Sequence, residues 1–187
     1  MFQLLRAGAD PNAAADSVTT PLHFCAAGGG AEVAHALLAA GGDPHRRGSG
    51  GAATAPLSTP LHVAAKRGRA AVTRALLEAG ASPDELGSDG TTPLVAAAGG
   101  GHADCVALLL QFGAAPGLCD AQGSTPLLMA AWRGSGACLR ALLGAGAGAS
   151  AVSGSGYLPL YVAAQEGRAD CVRALLEAGA PVDGCVL

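Results

Sequence analysis

Cysteine and histidine are the residues that could most readily carry chemistry in this 187-residue chain, as metal ligands, nucleophiles or general bases. No two cysteines form the C-x-x-C pair of common zinc sites. Cys105, Cys138 and Cys171 are evenly spaced along the chain, so in a repeating helical structure they occupy equivalent positions. Stacked helices lie about 8–10 Å apart, whereas a disulfide needs Cα atoms within about 7 Å. We therefore predict three buried thiols, with no disulfide between them, no metal site and no cofactor.

The other candidates for catalysis are better explained as structural residues. His23 and His62 could act as general bases, but no nucleophile, base and orienting acid come together in any one stretch of the sequence. The glycine-rich stretch GAGAGAS at residues 144–150 lacks the lysine and the spacing of a phosphate-binding loop. We therefore predict that the chain is not an enzyme.

These residues are positioned by an internal repeat that covers nearly the whole sequence. The phrase TPLHVAAKRG at residues 59–68 returns in altered form as TPLHFCAAGG (20–29), TPLVAAAGGG (92–101), TPLLMAAWRG (125–134) and LPLYVAAQEG (158–167). Its proline recurs at a constant interval, except that the first interval is longer. A second phrase, typified by RALLEAG, has the same period, and together they place six additional residues between Leu37 and Pro60. The turn-forming stretch at about 46–58 is the predicted site of this insertion.

Each unit of the repeat predicts two short helices. In the second unit Thr59 can cap the first helix with its hydroxyl, and Pro60 follows at the first helical position, where its missing N–H costs nothing. Gly68 ends this helix and Gly80 ends the next one. Helices of two or three turns are not stable alone in water, so each pair must pack against the neighbouring pairs.

A 33-residue helix pair that opens with T-P-L-H resembles the ankyrin repeat. The resemblance implies an all-α fold, an ankyrin-repeat solenoid of stacked helix-turn-helix pairs joined by hairpin loops. It makes residues 1–187 a single array, with a partial repeat at 1–12 and the inserted loop at about 46–58. Full repeats are predicted at about 16–45, 55–84, 88–117, 121–150 and 154–183.

Several units depart from the family pattern. By resemblance, the histidine of T-P-L-H holds the turn through hydrogen bonds, and this role falls on His23 and His62. The later units replace it by Val95, Leu128 and Tyr161. Leu158 replaces the capping threonine of the last unit, a loss that costs about 1 kcal/mol. Because glycines also interrupt their helices, we expect the third and fourth units to be the least stable part of the stack.

Charge, hydropathy and the opening residues limit the classes of partner. The formal net charge of −3 and the pI near 5.9 argue against nucleic-acid binding. Residues 141–165 carry no charge, but their glycine, serine and proline content argues against direct membrane insertion. The opening MFQLLRAGADPN lacks the pattern of a secretory signal, so we expect an intracellular, cytoplasmic protein. Because the first and last units are incomplete, we also expect the sequence to be a fragment.

The surface of the stack is the remaining candidate for function. The two residues before the glycine that ends each first helix are expected to project away from the stack, as are the hairpin tips. In the resembled family these positions line a concave protein-binding face. The candidate protein-binding residues are Lys66, Arg67, Asp89, Gln122, Trp132, Arg133, Tyr157, Gln165 and Glu166. Two alternatives stay open: Trp132 packs on the next unit, and Lys66 and Arg67 form a solvated face without a partner.

We predict a non-catalytic protein–protein interaction module, an adaptor or scaffold, which works as a monomeric array and binds a protein of unknown identity. One alternative is the substrate-recognition or targeting arm of a larger enzyme, such as a ubiquitin ligase or a kinase. Another is the cytoplasmic scaffold region of a membrane protein, and a third is a degenerate array with no partner. A catalytic or ligase-docking module, or hydrophobic spans, elsewhere in a longer chain would distinguish these alternatives.

Overall fold

The structure, a computed structural model, describes residues 8–14, 18–48 and 57–182. Three sequence-based predictions fall wholly or partly on other residues. The first seven residues of the partial repeat, residues 49–56 of the inserted loop, and the segment after residue 182 lie outside the described residues.

Ten helices in five pairs make up the regular structure of the described residues, and one isolated bridge is the only strand-like pairing among them. The helices are α1 (Pro21–Gly28), α2 (Ala31–Ala39), α3 (Pro60–Lys66), α4 (Ala70–Glu78), α5 (Pro93–Gly100), α6 (Ala103–Gln111), α7 (Pro126–Arg133), α8 (Gly136–Gly144), α9 (Pro159–Gln165) and α10 (Ala169–Glu177). The predicted all-α fold of repeated helix pairs is confirmed.

The first helix of each pair starts and stops at residues whose chemistry requires it. The hydroxyls of Thr92 and Thr125 each accept a hydrogen bond at 3.2 Å from the backbone N–H three residues ahead. Gly101 and Gly134 end α5 and α7 with φ angles of 76° and 81°, in the left-handed region that favours glycine. Leu158, at the N-cap of α9, has no side-chain oxygen for this bond, which agrees with the predicted loss of a cap.

Two parallel layers of helices form the stack. The inner helices (α1, α3, α5, α7 and α9) each pack against the next inner helix, and the outer helices (α2, α4, α6, α8 and α10) do the same. The core between the layers includes leucines at one position of successive inner helices. These leucines are fully buried or 1% exposed: Leu22, Leu61, Leu94 and Leu127. Small alanines beside them let the inner helices approach closely, and each pair is therefore stabilised mainly by its neighbours.

The predicted thiol column lies inside the outer layer. Cys105, Cys138 and Cys171 are free and completely buried, as the sequence analysis predicted. The Sγ atom of Cys105 lies 3.6 Å from the hydroxyl of Thr73 on the preceding outer helix. Burial raises the pKa of all three thiols above its ordinary value, because a thiolate would lose its hydration. These cysteines therefore act as small apolar residues and not as nucleophiles.

Hairpin turns connect one pair of helices to the next, and they are hydrogen-bonded to each other. The turn over residues 87–91 closes with a 2.9 Å bond from the Gly87 N–H to the Thr91 carbonyl. Its Ser88 N–H donates to the Leu57 carbonyl of the preceding hairpin at 2.9 Å, and similar bonds join the following hairpins. A chain of backbone hydrogen bonds thus runs along the hairpin side of the stack.

Two residues that pair with each other, Gly48 and Ser58, flank the predicted insertion. Gly48 and Ser58 form an antiparallel bridge with two backbone hydrogen bonds of 2.8 and 2.9 Å. Nine residues separate this pair, whereas three separate the equivalent pair Gly87 and Thr91, so the difference is the six residues counted from the repeat spacing. In both hairpins the N–H of the first residue of the pair donates to the carbonyl of the last, in spite of the additional length.

Two histidines bind consecutive units together. The Nε2 atom of His62 lies 2.9 Å from the Thr91 carbonyl in the next hairpin; since a carbonyl only accepts, Nε2 carries the proton. Its Nδ1 atom is then the acceptor for the hydroxyl of Thr59 at 2.8 Å and its N–H at 3.3 Å. His23 makes the corresponding contact, with Nε2 at 3.0 Å from the Ser58 carbonyl. Burial lowers the pKa of His62, which favours the neutral ring that this arrangement needs.

Candidate functional site

One face of each inner helix points away from the outer layer. It consists of the residues four, seven and eight positions after the N-cap, which lie on one side of a helix because of the 3.6-residue period. We call the combined surface the inner-helix face. Its members are residues 24, 27 and 28; 63, 66 and 67; 96, 99 and 100; 129, 132 and 133; and 162, 165 and 166. Six of the nine predicted binding residues belong to it.

These six residues occur as three exposed pairs at the ends of α3, α7 and α9. The pairs are Lys66 and Arg67, Trp132 and Arg133, and Gln165 and Glu166. Trp132 has 52% of its surface in solvent. The first pair lies at the end of α3 and the second at the end of α7, and both of these helices pack against α5. The structure therefore brings the first two pairs to the same side of the stack, one on each side of the third unit.

The third unit has glycines at the two positions equivalent to those pairs, and the ring of its His102 lies over Gly100. Its equivalent residues are Gly99 and Gly100, which end α5. A Cβ atom on Gly99 would meet only the Cε methyl of Met129 at 3.0 Å, which is the far end of a flexible side chain. We call the surface at Gly99, between α3 and α7, the Gly99 notch, and the side chain of Met129 borders it.

The other three predicted residues lie on the hairpins, apart from the helix ends. Asp89 is half-buried, and its carboxylate accepts a hydrogen bond from the Thr91 N–H at 3.1 Å within its own turn. Gln122 is exposed, and its backbone N–H donates to Asp120 at 3.0 Å. Tyr157 is 41% exposed and stacks on Tyr161, with ring centroids 5.7 Å apart. Asp89 is therefore partly engaged in holding its turn, whereas Gln122 and Tyr157 present side chains to solvent.

Some exposed apolar residues of this surface were missed in the sequence analysis. Phe24, four residues after the N-cap of α1, is 53% exposed, and it lines a cavity of about 590 Å³ together with Val33. Tyr161 is 48% exposed beside Tyr157. The helical period was a usable signal for Phe24, because position four shares a face with positions seven and eight. Tyr161 was treated only as a replacement for histidine, and its stacking partner comes from the hairpin.

Polar contacts at the ends of the inner helices join the second and third units each to the unit before it. The Nε–H of Arg69 donates to the carbonyl of Ala27 at 3.2 Å. The Nε2–H of His102 donates to the carbonyl of Lys66 at 3.1 Å. Both bonds satisfy carbonyl groups that the end of a helix leaves without an intrahelical partner. The residue directly after the glycine therefore holds the stack together, while the two residues before it project into solvent.

Neither a metal-binding group of side chains nor a membrane-spanning helix occurs in the part of the chain that the structure describes. Within residues 8–14, 18–48 and 57–182 there is no group of three or more histidine, cysteine, aspartate or glutamate side chains that could hold a metal ion. Over the same ranges, every helix is too short or too polar to cross a lipid bilayer.

Comparison with known protein families agrees with this geometry. The family model for ankyrin repeats (3 copies) matches residues 1–86, 61–153 and 112–184. No curated protein matches the chain. Ankyrin repeats are in general protein–protein interaction modules and are typically non-catalytic. With matches over nearly its full length and stacked helix pairs joined by hairpins, the chain belongs to the ankyrin repeat family.

Proposed function

We propose that this chain is a non-catalytic adaptor or scaffold module that binds a partner protein on the inner-helix face and the hairpin tips. One observation carries the proposal. Lys66, Arg67, Trp132 and Arg133 are all exposed at the ends of the two inner helices that pack on either side of α5, while other residues hold the stack together. Aromatic and arginine side chains are the types most often found at the centres of protein interfaces.

The mechanism is the rigid display of side chains. The helix ends are fixed by the contacts of Arg69 and His102 to the preceding unit, and the helix starts by threonine caps and by the two histidines. Binding therefore requires little ordering of the backbone, and this reduces the entropic cost of association. Since the exposed positions make none of these framework contacts through their side chains, they can differ between units without changing the fold.

The proposal also includes the cellular location of the chain. The described cysteines Cys25, Cys105, Cys119, Cys138 and Cys171 are all free thiols. Unpaired cysteines are typical of the reducing interior of cells, and this supports an intracellular, cytoplasmic location. We further propose that the array works as a monomer, which sedimentation at several protein concentrations would test.

The decisive experiment is a comparison of two sets of surface substitutions. Lys66, Arg67, Trp132 and Arg133 are changed together to alanine, and partner proteins recovered from cells are identified by mass spectrometry. The matched control changes Arg74, Glu78 and Arg140, which are exposed on the outer helices. We expect the first variant to lose partners that the control retains. Equal recovery by both variants, with unchanged circular dichroism, would refute the proposed face.

A further inference from the structure

Basic side chains are concentrated at one place in a chain of net negative charge. We call this place the turn band: the four residues in each unit that run from two before the ending glycine to one after it. Over residues 27–30, 66–69, 99–102, 132–135 and 165–168, five side chains are lysine or arginine and Glu166 alone is acidic. The basic residues are Lys66, Arg67, Arg69, Arg133 and Arg168. The whole chain has a net charge of −3.

The acidic residues of the stack lie mostly elsewhere. In the connectors after the second and third pairs they are Asp84, Glu85, Asp89 and Asp120, which face the hairpin side. Outside the turn band, Glu32, Asp104 and Asp170 are the acidic residues nearest to it along the chain, in the first turns of α2, α6 and α10. In the second and fourth units the charged residues of the turn band are therefore all basic.

These basic residues are not neutralised within the molecule. Among the described residues, the salt bridges are Arg47 to Glu85 at 2.8 Å and Arg173 to Asp170 at 3.6 Å, and neither involves the turn band. Arg69 is engaged through its hydrogen bond to Ala27. The side chains of Lys66, Arg67 and Arg133 are exposed, so three cations of the second and fourth units face solvent. Their attraction to the negative ends of their helices does not use up their charge.

An apolar surface lies between these cations. The Gly99 notch lies between the second unit and the fourth, and Met129 of the fourth unit borders it. About half of the Trp132 side chain is in solvent. The combination of flanking cations, an exposed indole and a glycine floor fits an extended chain that carries both carboxylates and an apolar side chain.

We propose that the turn band of the second to fourth units binds a short acidic peptide segment of the partner protein. Carboxylates of the segment pair with Lys66, Arg67 and Arg133, and one apolar side chain enters the Gly99 notch against Trp132. This proposal rests on the proposed function and specifies the chemistry of the partner.

The size of the site matches a peptide better than a nucleic acid. Lys66 and Arg133 belong to helices two steps apart in the stack, which corresponds to about 20 Å. An extended peptide covers this distance with about six residues, at about 3.3 Å each. A nucleic acid would continue beyond the site towards Glu166 and Asp170, whose negative charges oppose its phosphates.

The test begins with an unbiased selection. Random dodecapeptides displayed on phage are selected against the whole chain, and against a variant in which Lys66, Arg67 and Arg133 are all changed to glutamate. The preferred peptide of the native chain is then made with a fluorescein label, and its Kd is measured by anisotropy. We expect aspartate and glutamate to be enriched by the native chain and lost with the variant. The labelled peptide should bind the variant on the order of a hundredfold more weakly.

A second pair of variants tests the notch, and circular dichroism checks that each variant is folded. Gly99→Gln fills the notch, and because glutamine is a better helix former than glycine the variant should fold at least as well. Gly144→Gln is the matched control, since Gly144 also ends a helix and a Cβ atom there meets nothing within 4 Å. We expect the Kd of the labelled peptide to rise roughly tenfold or more for the first variant and to stay unchanged for the second.

The outcomes separate this inference from the proposed function. Selected peptides without acidic enrichment, or an equal Kd for both glutamine variants, would overturn the acidic-peptide site, while loss of cellular partners in the alanine variant would still support the face. Tighter binding of a single-stranded DNA oligonucleotide than of the labelled peptide, at about 0.15 M salt, would also overturn it. So would a selection that enriches no peptide.

Discussion

The hydrogen bonds of His62 give the sharpest test of how the stack is held together. We change His62 to valine, the residue that occupies the equivalent position 95 in the next unit, where it is only 2% exposed. Valine should fit in this buried site, because the next unit has a buried valine at the equivalent position. The substitution removes the bond from Nε2 to the Thr91 carbonyl and the acceptor Nδ1 beside Thr59.

The expected loss of stability can be worked out bond by bond. The Thr91 carbonyl keeps its 2.9 Å bond from the Gly87 N–H, so removing His62 costs only the net value of one hydrogen bond, about 1 kcal/mol. The buried Thr59 N–H loses its acceptor, which costs about 1–2 kcal/mol more. We therefore expect the free energy of unfolding to fall by about 2–3 kcal/mol, measured by urea denaturation at about pH 7.5 and followed by circular dichroism.

The pH dependence gives the same experiment a second readout. Burial lowers the pKa of His62, so the unfolded chain binds this proton more readily than the folded chain. The contribution of neutral His62 to the free energy of unfolding is complete above the ordinary histidine pKa of about 6.5. It is lost as the pH falls from there towards the lowered pKa of the folded state. The valine variant should therefore lose less stability than the native chain between about pH 7.5 and pH 5.

An exposed histidine supplies the control for His62→Val, and two outcomes would contradict the expected role of His62. His45 is exposed, so His45→Val should change the free energy of unfolding at about pH 7.5 by no more than about 0.5 kcal/mol. If His62→Val cost no more than this control, the histidine bridge would be irrelevant to stability. An unchanged fall in stability with pH would show that protonation of other groups dominates.

Three further predictions concern the caps, the thiols and the glycine-rich helix. Thr92→Val keeps the shape of the side chain but removes the bond to the Val95 N–H, and it should lower the free energy of unfolding by about 1 kcal/mol in urea denaturation; no change would show that the cap is unimportant. Cys119 is exposed, so a thiol reagent should label it in the native protein, and should reach Cys105 only in urea, as peptide mass mapping would reveal. Early labelling of Cys105 would contradict its burial. Gly99→Ala should raise the melting temperature, because the gain of about 1 kcal/mol in helix propensity exceeds the cost of moving the Met129 methyl group. A lower melting temperature would mean that the notch cannot accept a methyl group.

The fold could be predicted because its determinants are local and recur. The threonine, proline and glycine of each unit mark helix boundaries by the hydrogen-bonding capacity and backbone freedom of single residues, and the constant period of the repeat gives the order of packing. The burial of Cys105 followed from its place in the repeat alone.

The surface was harder to predict because it depends on contacts between units. The surface at Gly99 depends on Met129 of the next helix, and the exposure of Phe24 depends on what lies beside α1. The stacking of Tyr157 on Tyr161 joins a hairpin to a helix. No period within one unit contains such information. The relative stability of the third and fourth units stays a prediction, which hydrogen exchange would test.

The bridge between Gly48 and Ser58 makes the first full hairpin a natural point for engineering. Since the pairing is closed below the insertion, changes in the length of the intervening segment need not be transmitted to α1 or α3. A foreign epitope or a second recognition sequence grafted between these residues would be displayed beside the helical surface, and the spacing of the units would be preserved. The number of residues between Gly48 and Ser58 can therefore change while the positions of the helices stay the same.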